Sequence, residues 1–424
     1  MTVALIDCNS FFCSCERLFN PQWEKKPLVV LSHQDGCVVS ATREAKRLGI
    51  SIGVPYFQIK DLFQLHGGVA ISSNFALYAD LSARVMQTLS QRSSHIEIYS
   101  VDEAFLDFSG LSIEEQFEQG RLLTSVVKQH VGIPTSIGIA PTKVLAKLAN
   151  HLAKTMNQED GVFQLVDEKK ISEWLEQIPV EDIWGIGKKS AQKLRLIGIG
   201  TAKEFRDETR EALIQKLLTK VGRQIQDELR GIPCLSLRES FEAKKQIAHA
   251  RLFPQSFTHK QDVEALLCRY VSRAAEKLRS QQSVCSMISI YIRTDYHKED
   301  PQYQGYECTH LGGSTSDTKK LVKVTMDMLK KIFRPGYTYK KGGVILSQIS
   351  SKSEHQLSLF GPEDSYEDDQ LMKVMDSMNK KEGRETLQLA ACGTRKEWGA
   401  SGDASLFYRS PYYTTKWEDL LKVR

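Results

Sequence analysis

Three acidic residues of this chain stand where strands end. Asp7 closes the apolar run Val3-Ala4-Leu5-Ile6, and Asp102-Glu103 lie between Ile96-Glu97-Ile98 and Ala104-Phe105-Leu106-Asp107-Phe108. The first run reads as a short buried strand with Asp7 at its exit. The later pair reads as a turn between two strands, carrying two adjacent carboxylates. Carboxylates at strand ends are costly unless something positive holds them. Three oxygen ligands could share two magnesium ions, which suit phosphoryl transfer. Each acid alone reads better as a solvated turn residue; the set points to metal chemistry.

Such a set needs a scaffold, and the hydrophobic pattern supplies one. Residues 26–31 and 37–39 read as a hairpin around Gln34-Asp35-Gly36, and residues 43–48 as a short helix ended by Gly49. Residues 77–89 and 114–129 are helical, and 136–140 form a strand. A helix then starts near Pro141, with Leu145, Leu148, Ala149 and Leu152 as its apolar stripe. Residues 164–231 read as a helical module. Residues 238–246 are polar and without period, as a linker would be. Two amphipathic helices, 263–279 and 318–333, flank the alternating strand 287–292, which predicts a compact α+β module. Beyond Ser350 the chain turns polar and interrupted, the pattern of a partly disordered tail.

The 424 residues suffice for several domains, and 41% hydrophobic with 26% charged residues is an ordinary globular balance. No apolar stretch approaches the ~20 residues of a membrane span. The N-terminal run lacks the features of a signal peptide, so a cytoplasmic location is expected. Nine cysteines contain no Cys-x-x-Cys pair, and buried free thiols are expected rather than a zinc site. The net charge is +5, but residues 243–345 hold 18 Lys plus Arg against 9 Asp plus Glu. A basic module in an otherwise acidic chain fits a polyanionic partner.

Several segments resemble the Y-family of translesion DNA polymerases, in particular its branch of bacterial DNA polymerase V catalytic subunits. They are Asp7-Cys8-Asn9-Ser10-Phe11-Phe12 with Cys15-Glu16, Tyr99-Ser100-Val101-Asp102-Glu103, Asp35-Gly36-Cys37-Val38-Val39 and Glu44-Ala45-Lys46. The likeness continues in Leu77-Tyr78-Ala79-Asp80, Lys143-Val144-Leu145-Ala146-Lys147 and Trp184-Gly185-Ile186-Gly187, then in Gln356-Leu357-Ser358-Leu359-Phe360 and Ser410-Pro411-Tyr412-Tyr413-Thr414-Thr415.

The resemblance implies a multidomain α+β right hand. Its palm would be residues 1–10 and 72–163, its fingers 11–71, and its helix-hairpin-helix thumb 164–231. A linker over 232–246, a little finger over 247–350 and a C-terminal tail over 351–424 would follow. It implies two Mg2+ ions on Asp7, Asp102, Glu103 and the Cys8 carbonyl. Phe12 would be the steric gate against a 2′-hydroxyl, with Phe11 beneath it. Arg43, Lys46 and Lys154 would contact the incoming triphosphate. Gly185, Gly187 and Lys188 would approach DNA, and Gln356, Leu357, Leu359 and Phe360 would enter the sliding clamp. Lys143 and Lys147 read as helix-surface cations. The implied function is error-prone DNA synthesis past damaged bases, on primer-template DNA with deoxynucleoside triphosphates. The implied partners are a processed UmuD dimer and the RecA filament. A non-catalytic DNA-bound replication regulator and a nucleotidyl cyclase on a related palm stand as alternatives.

Overall fold

A computed structural model describes residues 2–32, 35–93, 95–156, 160–238, 243–353, 366–383, 385–393 and 408–421. The chain divides into two compact units, one of residues 1–241 with 405–424, the other of residues 242–404.

The first unit is built on a five-stranded sheet. Its strands are β1 (Val3–Cys8), β5 (Ile96–Ile98), β6 (Glu103–Asp107), β7 (Thr135–Ala140) and β8 (Val162–Gln164), in the order β5-β6-β1-β7-β8. Strand β1 is central and buried throughout. Ala4, Ile6 and Cys8 enter one core and Val3 and Leu5 the other, because alternate side chains point to opposite faces. A strand covered on both faces reads as a continuous apolar run, as Val3 to Ile6 does. On one side lie α4 (Phe75–Ser90) and α5 (Ile113–Val131), through residues such as Leu81, Val85, Leu123 and Val127. On the other lies α6 (Lys143–Thr155), sharing its core with α7 (Glu168–Gln177), α8 (Lys188–Arg195), α9 (Ala202–Asp207) and α10 (Glu211–Leu229).

Helix α1 (Phe11–Phe19) packs into the first core. A three-stranded sheet follows, with β2 (Leu28–Leu31) antiparallel to β3 (Val38–Ala41) and parallel to β4 (Val69–Ser72). Its helices are α2 (Arg43–Arg47) and α3 (Tyr56–Leu65). Strand β2 divides its side chains: Leu28 and Val30 join the core of the large sheet, while Val29 and Leu31 make a small core with Phe63. The short run of β4 gives no sequence signal of its own, since its partner on β2 lies 41 residues earlier, Leu28 opposite Val69.

The second unit is a four-stranded antiparallel sheet in the order β11-β10-β12-β9. The strands are β9 (Ile247–Phe257), β10 (Ser283–Thr294), β11 (Gln304–Thr315) and β12 (Tyr339–Ser351). Helices α11 (Lys260–Ser280) and α12 (Thr318–Ile332) cover one face.

The region after Ser350 departs from the expected disordered tail. Helix α13 (Tyr366–Lys381) forms, Met372 and Cys392 are buried, and residues 408–421 pack in the first unit, with Tyr413 in its core. Tyr413 and Cys392 dock on cores built elsewhere, so no local period announces them. Among the described residues no helix is long and apolar enough to cross a membrane.

Candidate active site

The register of the central strands assembles the acids. Asp7 on β1 pairs directly with Glu103 on β6. Asp102 occupies the turn before β6, where the Cys8 amide donates to its carbonyl at 2.9 Å. The Asp102 carboxylate accepts from the Ser100 hydroxyl at 2.6 Å. Asp107 sits at the far end of β6, opposite Val3, and accepts from the Ser109 amide at 2.8 Å, a local turn contact.

Helix α6 supplies the positive charge that strand-end carboxylates require. Lys143, Lys147, Asn150 and Lys154 are spaced by four, three and four residues and so share one face. Lys143 pairs with Glu97 and lies over the Phe105 ring. Lys147 holds Glu103 at 2.9 Å and lies over Tyr99 and Trp184, 4.7 and 5.3 Å from their centroids. Lys154 lies 2.5 Å from Asp7. Lys143 and Lys147 are therefore not surface cations; Lys143 is only 4% exposed. Burial pushes the Asp7 carboxyl up to about 7, opposed by Lys154.

Close approach of α6 to the sheet makes these pairs possible. A Cβ on Gly138 of β7 would lie 2.1 Å from the Asn150 amide nitrogen and 2.3 Å from the Ala146 carbonyl oxygen. Asn150 donates to the Leu5 and Ser136 carbonyls at 3.2 and 2.7 Å, fastening the helix across β1 and β7. Glu228 on α10, fully buried, accepts from the Val144 amide at 3.2 Å and from the Cys234 and Leu235 amides. A spacing of three lysines on one predicted helical face was the available signal for Lys143 and Lys147. Nothing local signals Glu228.

Among the described residues no three His, Cys, Asp or Glu side chains converge to hold an ion. Lys154, Lys147 and the Ser100 hydroxyl each engage one carboxylate instead. The donor set itself suits a hard divalent cation, being all oxygen. Asp7 and Glu103 already sit against positive charge, which is what such an ion would supply.

A sharp turn after β1 starts the helix that carries Phe11 and Phe12. Ser10 takes a left-handed conformation (φ 46°), uncommon for a residue with a side chain, and its hydroxyl donates to the Ala41 carbonyl at 2.9 Å. Helix α1 starts at once. Phe11 is buried in the core, whereas Phe12 is half-buried and stacks on Tyr78 with centroids 4.6 Å apart. Arg43 and Lys46 are exposed on α2, whose Thr42 cap accepts from Ala45.

The two glycines before α8 differ. Gly185 has φ 92° and a Cβ there would strike Ile225, so its own fold demands glycine. Gly187 has ordinary angles and open space around it, with the α8 amides and exposed Lys188 following. In the second unit, Tyr291, Arg293, Lys341, Gly343 and Tyr306 share the sheet face away from the helices: Arg293 pairs with Lys341, and Tyr291 with Gly343 and Tyr306. Gln356, Leu357, Leu359 and Phe360 lie outside the described residues.

The profile of the impB/mucB/samB family matches residues 6–151, and that of its C-terminal domain matches residues 244–359. The helix-hairpin-helix profile of the same family matches residues 168–199, and a domain of unknown function matches residues 369–423. Protein UmuC of Salmonella typhimurium is 39% identical over 99% of this chain and 100% of its own length. MucB of Escherichia coli is 35% identical over 98% of each chain, and DNA polymerase IV of Bacillus anthracis 26% over 92% of this chain and 93% of its own. Among solved structures, a Y-family DNA polymerase chimera of Dbh and Dpo4 superposes with a TM-score of 0.66 at 22% identity, over 83% of this chain and 100% of its own. The chain belongs to the impB/mucB/samB family and has the fold of a Y-family DNA polymerase.

Proposed function

We infer that this protein is a template-directed DNA polymerase that extends primers past damaged bases. The pairing of Asp7 with Glu103, beside Asp102 and under a lysine-bearing helix, carries the reading. Full-length likeness to proteins named as DNA polymerases favours it over the nucleotidyl cyclase and the non-catalytic regulator. Primer extension with purified protein, Mg2+ and deoxynucleotides tests it; no extension would leave the regulator.

Asp7, Asp102, Glu103 and the Cys8 carbonyl would hold two Mg2+ ions. When bound, such ions lower the pKa of a primer 3′-hydroxyl and neutralise the leaving pyrophosphate. Lys154 stands beside Asp7, placed to pass its charge to a triphosphate oxygen, with Arg43 and Lys46 as further cations. Gly187 and Lys188 offer amides and charge to a DNA phosphate, a contact that positions without reading sequence. Leu359 and Phe360, with Gln356 and Leu357, would anchor the chain to a sliding clamp. The same reading extends to a processed UmuD dimer and RecA filament as partners, and to the cytoplasm as location.

Phe12 presents a flat apolar ring where a 2′-hydroxyl would find neither room nor a hydrogen bond. Phe12→Ala is expected to lower the preference for deoxynucleotides over ribonucleotides roughly 10²-fold, read as incorporation of each on one template. An unchanged preference returns Phe12 to the core.

Arg293 and Lys341 face away from the helices of the second unit. Replacing both with Ala in the full chain should weaken DNA binding and reduce the slope of log K against log salt by about two. Fluorescence anisotropy across a salt series measures it; an unaltered slope places DNA elsewhere.

A further inference from the structure

Residues 408–413 lie in a domain to which no function is assigned, yet they end inside the first unit. They add a parallel bridge at the last residue of β4. Arg409 bridges Ser72, the Tyr408 amide donates to the Ser72 hydroxyl at 3.2 Å, and the Ser72 amide donates to the Tyr408 carbonyl at 3.3 Å. Asn74 then grips the segment with both ends of its side chain at work. Its oxygen caps α4 by accepting from Leu77, and its nitrogen donates to the Ser410 hydroxyl and the Pro411 carbonyl, each at 3.0 Å. Farther along, the Tyr413 ring stacks on Phe19 of α1 with centroids 4.4 Å apart, and its hydroxyl accepts from Asn20 at 3.1 Å.

Between these anchors sits Glu16, a fully buried carboxylate on α1. Its Oε1 accepts two hydroxyls, that of Ser410 at 3.0 Å and that of Tyr78 at 2.7 Å. Its Oε2 has no partner among the described residues. Tyr78 is itself buried, and its ring is the platform on which Phe12 stacks, with planes 16° apart. Phe75, at the start of α4, meets both rings edge-on. A chain of contacts thus runs from Ser410 through Glu16 and Tyr78 to Phe12. Burial pushes the Glu16 carboxyl up to about 7, and the two hydroxyls pull it down. Removing one donor leaves a buried acceptor short, which costs more than the bond's net worth.

We propose that residues 408–413 form a strap that sets sugar discrimination, with Ser410 as a positioning residue that fixes Glu16, the Tyr78 ring and through it Phe12. The proposal rests on Phe12 as the sugar gate. The strap touches no reacting atom. It holds the gate's platform at one height and tilt, and an aromatic gate excludes a hydroxyl only while its own backing is fixed. Ser410 and Asn74 also join the strap to the capped end of α4, so the platform helix and its fastening share one polar cluster.

The test is single-nucleotide incorporation of dCTP and CTP opposite template dG by full-length protein, giving a selectivity ratio for each variant. Ser410→Ala and Tyr78→Phe, which keeps the ring, should each lower the ratio roughly threefold to tenfold. Because both act on one chain of contacts, the double variant should fall no further than the worse single one. Lys416→Ala, at an exposed position past the strap's anchors, should leave the ratio unchanged. An unchanged ratio in Ser410→Ala, while Phe12→Ala lowers it, overturns the strap and leaves the gate standing. Multiplied effects in the double variant, or an equal fall in Lys416→Ala, also overturn it. An unchanged ratio in Phe12→Ala overturns the gate, and the strap falls with it.

Discussion

Asp102→Ala is expected to reduce primer extension roughly 10³-fold or more, since loss of a metal ligand removes several kcal/mol of transition-state stabilisation. Asp7→Asn and Glu103→Ala should do the same. The three acids occupy a turn and two paired strand positions. Asp107 is at the other end of β6 and engaged by Ser109. DNA binding should persist, because Gly187, Lys188, Arg293 and Lys341 belong to other elements. Structure should persist too. The backbone contact from Cys8 to the Asp102 carbonyl does not use the side chain, and an amide at position 7 carries no charge for burial to penalise, the penalty that raises the carboxyl's pKa. Single-turnover extension paired with DNA anisotropy separates these outcomes. Near-normal extension by Asp102→Ala would mean that the metal set has been wrongly assigned.

Gly138→Ala should be the most damaging conservative substitution in the first unit. The added methyl meets backbone atoms of α6 at 2.1 and 2.3 Å, and backbone cannot rotate aside as a side chain can. Either β7 bends or the whole helix lifts. Overpacking of this kind costs about 3 kcal/mol or more, which corresponds to a fall in Tm of roughly 6–12 °C for a unit of this size. Lifting α6 also withdraws Lys147 from Glu103, Lys154 from Asp7 and Asn150 from two carbonyls. Extension should therefore fall even at temperatures where the variant is folded. Thermal unfolding beside extension at 25 °C checks both; a Tm within 1–2 °C of the parent would show that the helix has room to spare. Gly187→Ala provides the contrast, since a methyl there meets nothing within 4 Å.

Where local pattern and burial coincide, the sequence was readable. The continuous run of β1 reflects a strand covered on both faces, while the alternation of residues 287–292 and the stripes of α11 and α12 each reflect one element facing one core. The acids were legible because a carboxylate at the exit of an apolar strand is locally anomalous. Lys143 and Lys147 were misjudged because a lysine on a helix is ordinary until the acids opposite are known. Strand β4, Glu228 and Ser410 were illegible for a different reason: each is defined by partners distant in sequence. The tail shows the same limit. Tyr413 follows a second tyrosine in the sequence, and the contacts with Phe19 and Asn20 show which of the two is seated in the core.

Ser410 and Glu16 are 394 residues apart in the chain. At the pace of protein synthesis that separation is roughly 20–80 s. The five-stranded sheet and its acids can fold as they emerge, so a nascent chain holds the means of catalysis well before it holds the fastening of Phe12. A chain whose synthesis stops within the second unit, or whose later residues are trimmed by a protease, would keep Asp7, Asp102 and Glu103 yet leave Glu16 without one of its two donors. On the strap proposed above, sugar selectivity would be acquired only once residues 408–413 have emerged, later than the sheet and its acids, and would be lost when they are removed.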